Sequence, residues 1–435
     1  MTDDPAPHRA VAAVWRIESA RIIAGLTGLV RDVGLAEELA QDALVAALEQ
    51  WPADGIPPNP GAWLMLTARH RAIDRIRRNE RLREKLGQLG RELELQPGTD
   101  EFDAILDSDS AINDDLLRLM FISCHPVLST PARIALTLRL LGGLTTEEIA
   151  RGFLAAEPTI AKRIVRAKQT LADKQARFEV PPPAERQARL ASVLEVLYLI
   201  FNEGYSAMAG DDWMRPALCD EALRLGRVLA GLMPDEPEVH GLVALMEIQA
   251  SRMRARLSPD GLPVPLLEQN RGRWDQLLIR RGFAALLRAQ SVSAASPGPY
   301  VLQAAIAACH ARARAASETD WAAIAALYDR LAVAAPSPVV ELNRAVAVAM
   351  ADGPERGLAI VDRLSAEPAL AGYHHLPSVR GDLLARLGRR DEASAEFRRA
   401  AELTRNVPER TVLLRRANSP MHGWGEQDER GRPGP

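Results

Sequence analysis

Apolar residues recur at intervals of three and four along most of the chain, and β-branched residues are not concentrated in alternating runs. This periodicity predicts helices over residues 8–30 and, after a short break, over residues 35–51. Four prolines and two glycines then predict a loop over residues 52–61. The second helix is acidic on the side predicted to be exposed, which holds Glu37, Glu38, Asp42 and Glu49.

The next segment, residues 63–85, is an amphipathic helix with eight Arg or Lys and three Asp or Glu. Its predicted inner face holds Met65, Leu66, Ala72, Ile73 and Ile76. Its predicted outer face holds His70, Arg71, Asp74, Arg75 and Arg78. Such a basic helix is typical of a nucleic-acid surface, although a solvated Arg-rich helix has the same pattern. Arg69 falls on the apolar side, so we expect it to be a buried, paired structural arginine.

An acidic segment separates this helix from a second helical region. Residues 92–115 contain nine acidic residues and no basic one, which predicts a solvated linker that is extended or only partly helical. Residues 116–175 are predicted to be helical again and end in a helix-turn-helix pattern. A plain helical hairpin is the alternative interpretation of that pattern.

The first helix of this pattern begins with a capping box formed by Thr145 and Glu148. Its predicted inner face holds Ile149, Ala150 and Phe153. A tight connection over residues 154–157 leads to Pro158, which suits the first position of the second helix. The second helix is predicted to bury Ile160, Ile164 and Leu171 and to project Thr159, Lys162, Arg163, Arg166 and Lys168. Cations projected in this way suit the major groove of DNA.

Beyond a proline-rich linker at residues 180–187, helical patterns continue for most of the remaining chain. Residues 341–364 and 376–403 each read as a helix–turn–helix pair. The two turn glycines, Gly353 and Gly388, are 35 positions apart, close to the period of tetratricopeptide repeats. Phe397 is predicted to plug the second pair, and the chain from residue 418 onward is polar and rich in Gly and Pro.

Composition agrees with an all-α protein of several domains. The 435 residues are 47% hydrophobic but only 4% aromatic, and the net charge of −3 averages over local blocks. The three cysteines are far apart without a CxxC pair, which favours a reducing, cytoplasmic location over disulfides or a cysteine-based zinc site. The first residues lack an apolar signal core, and no membrane span is expected.

Three motifs occur in the order and spacing of a known family. They are AEELAQDALVAALEQW at residues 36–51, PGAWLMLTARHRAIDRIRR at 60–78 and LTTEEIARGFLAAEPTIAKRIVRAKQTL at 144–171. This arrangement resembles the extracytoplasmic-function sigma factors of bacterial RNA polymerase. The rest of the chain resembles a subgroup with a tetratricopeptide-like extension, through segments at residues 199–205, 273–282, 298–311 and 337–349.

The resemblance implies an all-α fold of two small sigma domains followed by a helical-repeat domain. The implied domains are sigma region 2 over residues 8–88, an acidic linker over 89–115, sigma region 4 over 116–178, a tetratricopeptide-like extension over 186–417 and a disordered tail over 418–435.

The resemblance also implies partners and contact residues. The helix over residues 35–51 would dock on the clamp of the largest subunit of core RNA polymerase, with Leu39, Asp42 and Leu48 as candidate contacts, although both leucines suit a core position equally. The loop over residues 52–61 would help hold a base flipped out of promoter DNA. The basic helix would bind the minus-ten element through His70, Arg71, Asp74, Arg75 and Arg78.

The recognition helix would bind the minus-thirty-five element through Thr159, Lys162, Arg163 and Arg166. Which of these residues would contact bases and which phosphates stays open. The extension is expected to regulate activity, through a regulatory protein or by contacting the polymerase or the first two domains. No cofactor and no membrane partner are expected.

Polar and aromatic residues recur in the extension, where they either line a concave binding surface or satisfy helix ends and contacts between helices. They are Asn202, Glu203, Tyr205, Trp274, Asp275, Arg280, Gln303, His310, Asn343, Arg344 and His374. The pair His374–His375 lacks a third ligand in the sequence pattern, so no metal site is expected.

No P-loop, GxGxxG, GxSxG or HExxH motif occurs, so catalysis is not expected and no residue is a candidate for it. The rival interpretation is a non-sigma helical-repeat adaptor or transcription regulator that carries a helix-turn-helix. A hydrolase or transferase within the extension has no motif in its favour.

Overall fold

The computed structural model describes residues 5–87, 109–153, 155–206, 209–210, 213–292 and 296–418. Within these residues the chain forms eighteen α-helices and one pair of two-residue strands, so the expected all-α fold is confirmed. The chain divides into two compact units, Met1–Leu199 and Ile200–Pro435. No helix of the described residues is long and apolar enough to cross a membrane.

Unit 1 contains the helices that carry the predicted promoter-binding surfaces. They are α1 (Pro5–Val30), α2 (Val33–Asp54), α3 (Pro60–Gly87), α4 (Asp109–Ser123), α5 (Thr130–Leu140), α6 (Thr146–Gly152), α7 (Glu157–Asp173) and the first part of α8 (Pro183–Tyr205). Helix α1 packs against α2, α3 and α4, so it lies at the centre of this unit.

Unit 2 contains the end of α8 and the helices that follow it. They are α9 (Pro216–Leu232), α10 (Pro237–Ser251), α11 (Gln276–Val292), α12 (Pro299–Arg312), α13 (Trp321–Ala334), α14 (Pro338–Asp352), α15 (Pro354–Leu364), α16 (His375–Arg386), α17 (Arg390–Leu403) and α18 (Val407–Asn418). Short 3-10 turns occur at Met253–Ala255, Leu266–Glu268, Arg271–Arg273, Ala316–Glu318 and Pro368–Leu370. Strands β1 (Ala209–Gly210) and β2 (Arg405–Asn406) pair in parallel.

The loop before the basic helix is shorter than the sequence predicted. Helix α2 begins at Val33, because the side chain of Asp32 accepts from the Leu35 amide at 2.8 Å and caps the helix. It continues through Pro52 and ends where the Gly55 amide donates to the Trp51 carbonyl at 3.0 Å, with φ of 85° at Gly55. Only residues 55–59 remain as a loop.

The basic helix buries a narrower stripe than predicted. Leu64, Ala68 and Ala72, spaced by four residues, are fully buried. Leu66 was predicted to face inward, but 54% of it is exposed. The cause is helix geometry: Leu66 lies two positions from both Leu64 and Ala68, which places it on nearly the opposite side of α3 from the buried stripe.

The helix-turn-helix prediction is confirmed in its main features. The capping box is formed, since the Thr145 amide donates to Glu148 at 2.8 Å and the Glu148 amide donates to Thr145 at 3.1 Å. Helix α7 starts at Glu157, so Pro158 takes the second helical position rather than the first. As predicted, α7 buries Ile160, Ile164 and Leu171.

Helix α4 begins at Asp109, within the stretch that the sequence assigned to the acidic linker. Most of that linker, residues 88–108, lies outside the described residues, as do residue 154 of the turn and residues 419–435 of the predicted tail.

The two helix pairs predicted near the end of the chain are present as α14–α15 and α16–α17. Their turns need the left-handed conformation that favours glycine, with φ of 106° at Gly353 and 74° at Gly388. Phe397 is 1% exposed and packs on Gly381, where an added Cβ would lie 2.8 Å from the ring. From α13 to α18 each helix packs mainly on its neighbours in the chain, as in helical-repeat proteins.

Candidate nucleic-acid interface

The outer face of α3 is open to solvent at four of its five predicted DNA contacts. His70, Asp74, Arg75 and Arg78 are exposed. Arg71 is half-buried, and its Nη1 lies 3.7 Å from Oδ2 of Asp42 on α2. This surface ion pair contributes at most about 1 kcal/mol, so Arg71 is readily released for another partner.

Arg69 lies on the opposite side of α3, as its place on the helical wheel predicted. It is half-buried rather than buried, and it interacts with other described residues. It lines a cavity of about 490 Å³ between α1 and α3, together with apolar residues such as Ile22 and Met65. Asn59 and Gly61, at the end of the loop, border the same cavity.

The three candidate polymerase contacts on α2 differ in exposure. Leu39 is 5% exposed and belongs to the core of unit 1, so its side chain is not presented to a partner. Leu48 is half-buried and Asp42 is exposed. These two remain predictions for the polymerase surface, while Leu39 takes the core position that the sequence left open.

The recognition helix presents a second cationic face. Thr159, Lys162 and Arg166 are exposed and Arg163 is half-buried. Within the described part of the chain no carboxylate pairs with Lys162, Arg163 or Arg166. Lys162 and Arg166, one turn apart, and Arg163 beside them therefore remain available for phosphates or base edges.

Glu37 is the feature of this region that sequence reasoning missed. It was predicted on the exposed side of α2, but it is 3% exposed. Its Oε1 accepts from Arg139 Nε on α5 and from Gln41 Nε2, both at 2.6 Å. Its Oε2 pairs with Lys168 on α7. Lys168 was predicted to project with the DNA-facing cations, and the structure corrects this: its ammonium is drawn to Glu37. We call Glu37, Arg139 and Lys168 the Glu37 cluster.

The Glu37 cluster joins the two parts of unit 1 that carry the two cationic faces. Helix α2 precedes the basic helix, and α5 and α7 belong to the helix-turn-helix region. Arg16 on α1 adds a second bridge by donating to Glu148 on α6 at 3.0 Å. No local pattern reveals such contacts, because Arg139 is 102 positions from Glu37.

Comparison with known proteins assigns the two halves of unit 1. Residues 18–82 match the model of Sigma-70 region 2, and residues 118–171 match the model of Sigma-70 region 4. The chain is 30% identical over 150 residues to the ECF RNA polymerase sigma factor SigK of Mycobacterium ulcerans, covering 33% of this chain and 74% of that protein. The chain belongs to the extracytoplasmic-function sigma factor family.

The sigma factor has a further relative that matches most of its length. An uncharacterized protein of Rhizobium meliloti, R00370, is 44% identical over 389 residues, which are 88% of this chain and 89% of that protein. Residues 189–290 match a family of unknown function, DUF6596. SigK of Mycobacterium bovis is 29% identical over 168 residues, covering 37% of this chain and 83% of that protein. No solved structure gave a significant match.

Several polar residues singled out in the extension of this sigma factor serve its own structure. Glu203 pairs with Arg215. Asp275 caps α11 by accepting from the amide of Leu277 at 2.9 Å. Arg344 donates to Glu341 at 2.8 Å. These residues follow the structural alternative that the sequence left open.

The extension also contains a cluster of His374, His375 and Glu409, whose ligand atoms lie within 4.8 Å of one another. Glu409 is the third residue that the sequence pattern did not reveal, since it lies 35 positions away. His374 Nε2 and Glu409 Oε1 are 3.0 Å apart, and Thr404 donates to the other oxygen of Glu409 at 2.7 Å. This bonding links α18 to the start of α16.

Proposed function

We propose that this sigma factor binds core RNA polymerase and directs promoter-specific initiation, with α3 on the minus-ten element and α7 on the minus-thirty-five element. The observation that carries the proposal is the pair of cationic faces on region 2 and region 4. Their exposed arginines and lysines mostly lack carboxylate partners within the described residues, so they are free to replace counterions on DNA phosphates.

The loop at residues 55–59 supports a role in opening the duplex. It leads to the cavity that Asn59, Gly61 and Met65 border, and the walls of this cavity are mainly apolar. An apolar cavity beside a DNA-binding helix offers an unstacked base a surface to pack on, which offsets part of the few kcal/mol that unstacking costs.

The packing of unit 1 indicates a closed state that has to open on the promoter. The two elements are centred about 25 base pairs apart, roughly 85 Å of duplex. The 28-residue helix α3 is only about 42 Å long, and the Glu37 cluster holds α2 directly to α7. The two DNA-binding faces therefore reach both elements only after the Glu37 cluster breaks. Binding of region 2 to the polymerase clamp would supply the free energy for this opening.

The extension is well placed to influence region 4, because α8 belongs to both. The start of α8 is bonded to the end of α4, within the residues matched by region 4: Arg189 donates to the Phe121 carbonyl at 2.9 Å and Ser192 donates to the Cys124 carbonyl at 2.8 Å. The same helix continues past residue 199 into unit 2. We propose that the extension gates promoter binding through this shared helix.

Runoff transcription with purified core polymerase tests the proposal. We expect promoter-specific transcripts from the full chain and altered promoter choice or yield from a chain ending at residue 199, which keeps the bonds of Arg189 and Ser192. Equal activity and equal promoter choice of the two chains would reject gating while leaving the sigma function intact. A full chain that neither binds core polymerase nor initiates transcription would support the helical-repeat adaptor instead.

A further inference from the structure

The extension contains a row of alternating arginine and aromatic side chains, which we call the ladder. In spatial order it consists of Trp213, Arg256, Tyr205, Arg252, Trp274 and Arg271. The guanidinium carbon of Arg256 lies 3.5 Å from the ring centre of Tyr205 and 4.2 Å from that of Trp213. That of Arg252 lies 5.8 Å from Tyr205 and 5.9 Å from Trp274. That of Arg271 lies 5.0 Å from Trp274.

Three separate segments of unit 2 build the ladder. Tyr205 ends α8. Arg252 follows the last turn of α10, and Arg256 follows the 3-10 turn Met253–Ala255. The turn that carries Arg271 and Trp274 is held there because the amide of Asp275 donates to the Ser251 carbonyl at 2.8 Å. The whole ladder lies within residues 189–290, the segment matched by the family of unknown function.

The centre of the ladder is buried, whereas Tyr205, Trp213 and Arg271 are half-buried, and none of the six residues is a carboxylate. Arg252 is 7% exposed, Arg256 8% and Trp274 4%. No carboxylate among the described residues pairs with an arginine of the ladder, whereas nearby Arg227 donates to the buried Glu247 at 2.8 Å. Buried charges in proteins are normally paired, because leaving a buried charge without a partner costs several kcal/mol.

Two of the three arginines find neutral acceptors. Arg271 donates to the carbonyls of His310 and Ala313, at 2.6 Å and 2.7 Å. Arg256 donates to the Tyr205 carbonyl at 3.1 Å. These bonds, with one from Arg271 to the Thr319 hydroxyl at 3.0 Å, fix both guanidinium groups as structural parts of the fold. No carboxylate of the described residues forms an ion pair with either group, and the charge of Glu318 only partly opposes the lowering of the pKa of Arg271.

Arg252, at the centre, has no acceptor within the described part of the chain. Its Nε is completely buried without a hydrogen-bond partner, and so is the indole Nε1 of Trp274 beside it. The Nε groups of Arg256 and Arg271 are also buried without a partner among the described residues, so four N–H groups of the ladder are unmet. Aromatic faces stabilise a guanidinium by cation–π contact, but they do not accept its in-plane N–H groups.

The positive charge of Arg252 acts on the groups beside it. Burial lowers the pKa of Arg256 and of Arg271, and the charge of Arg252 lowers both further. Burial also lowers the pKa of His310 to about 3, with Arg252 and Arg271 acting in the same direction. The imidazole of His310 is therefore neutral at physiological pH, and the positive charge of the ladder resides in its arginines.

We propose that the ladder binds the oxyanion group of a small molecule, a phosphate or a carboxylate, with Arg252 as the principal donor and Trp274 Nε1 as a second donor. The planar guanidinium matches either group with two parallel N–H bonds. Arg256 and Arg271, already held in place by backbone carbonyls, supply a fixed positive field and require no rearrangement.

Calorimetric titration of the full-length chain tests the site, with inorganic phosphate and citrate as probes and chloride at equal ionic strength as the reference. We expect saturable heat for at least one probe and a rise of about 2–4 °C in the midpoint of thermal unfolding at several times Kd. Arg252→Gln should weaken binding at least tenfold. Arg254→Gln, which removes an exposed arginine from the same turn, should leave binding unchanged. The stronger probe identifies the class of oxyanion.

Two outcomes would overturn the proposal. The first is that phosphate and citrate release no more heat, and raise the unfolding midpoint no further, than chloride does. The second is that Arg252→Gln binds the probes as tightly as the unaltered chain. Arg252→Lys keeps the positive charge but lacks the planar guanidinium, and it serves as a second variant if Arg252→Gln does not fold. It should bind with an affinity between those of the unaltered chain and Arg252→Gln. Binding is measured without polymerase or DNA, so the result stands apart from the fate of the gating proposal.

Discussion

The sigma factor contains two buried clusters of charge, and they are composed in opposite ways. In the Glu37 cluster of unit 1, one carboxylate is shared by two cations, and every member has a protein partner. In the ladder of unit 2, three arginines meet no carboxylate of the described residues, and Arg252 meets no acceptor. The first cluster is completed within unit 1, whereas no carboxylate of the described residues pairs with the ladder, and we propose that an oxyanion from outside completes it.

A buried charge with a structural role differs from one with a binding role in whether the protein itself supplies the opposite charge. A closed set such as the Glu37 cluster specifies how two parts of a protein pack, and it loses stability when one member is removed. An open set such as the ladder costs stability in the free protein and regains it on binding. Three perturbations distinguish these cases.

The largest effect is expected from Glu37→Gln, which removes the charge that Arg139 and Lys168 share. We expect the free energy of unfolding to fall by about 3 kcal/mol, the low end for a broken buried ion pair. The low end applies because the side chains of Arg139 and Lys168 are still 23% and 22% exposed to solvent. Urea denaturation of the full chain measures it. Glu38→Gln, one position along on the exposed side, is the control and should change stability by less than about 0.5 kcal/mol.

The same variant also tests the proposed closed state of unit 1. If the Glu37 cluster holds the DNA-binding faces together, Glu37→Gln should bind promoter DNA more tightly in the absence of polymerase, as measured by fluorescence anisotropy. If Glu37→Gln leaves either the free energy of unfolding or the DNA affinity unchanged, Glu37 is not the contact that keeps unit 1 closed.

A smaller effect is expected from lowering the pH, which acts on the ladder through His310. The unfolded chain takes up a proton at this histidine below its ordinary pKa of 6.5, whereas the folded chain does so only near 3. The contribution of neutral His310 to the free energy of unfolding is therefore fully present above pH 6.5. It is lost as the pH falls, and the loss is about 2 kcal/mol at pH 5. In His310→Gln the loss between pH 7 and pH 5, followed by urea denaturation, should be smaller by that amount; equal losses would show that His310 is not held neutral.

The smallest effect on stability is expected at the exposed arginines, which lack partners just as Arg252 does. Arg166→Gln should change the free energy of unfolding by less than about 0.5 kcal/mol, because water solvates its guanidinium in the free protein. Its DNA affinity should fall about fivefold to tenfold, and the slope of log K against log salt should fall by about 1 if Arg166 contacts a phosphate. Val165→Ala, on the same exposed surface, is the uncharged control; an equal loss there would exclude an electrostatic role.

Local features of the fold were predictable from the sequence because their partners lie within one helical turn. The capping box of Thr145 and Glu148 and the buried stripe of α7 depend on spacings of three and four residues. The same reasoning failed at Leu66, because the pattern of α3 does not show which part of its apolar surface the neighbouring helices cover.

The features that decide the candidate sites were not predictable in the same way. An isolated helix exposes Glu37 beside Glu38, and only the packing of α5 and α7 on α2 buries it. The sequence drew attention to Tyr205, Trp274 and His310 as polar or aromatic residues of the extension. It gave no sign of Arg252, because an arginine in a segment rich in arginine reads as solvated until its surroundings are known.

The burial of Glu37 also makes its ion pairs less sensitive to salt than the exposed cations of α3 and α7 are. Salt screens the exposed cations of α3 and α7, and a protein with six to ten phosphate contacts loses roughly 10³–10⁵ in DNA affinity between 50 and 200 mM salt. A carboxylate with only 4% of its side chain in contact with solvent is screened far less. Under the proposed opening, a rise in ionic strength weakens DNA binding more than it weakens the Glu37 cluster, so the balance shifts toward the closed unit.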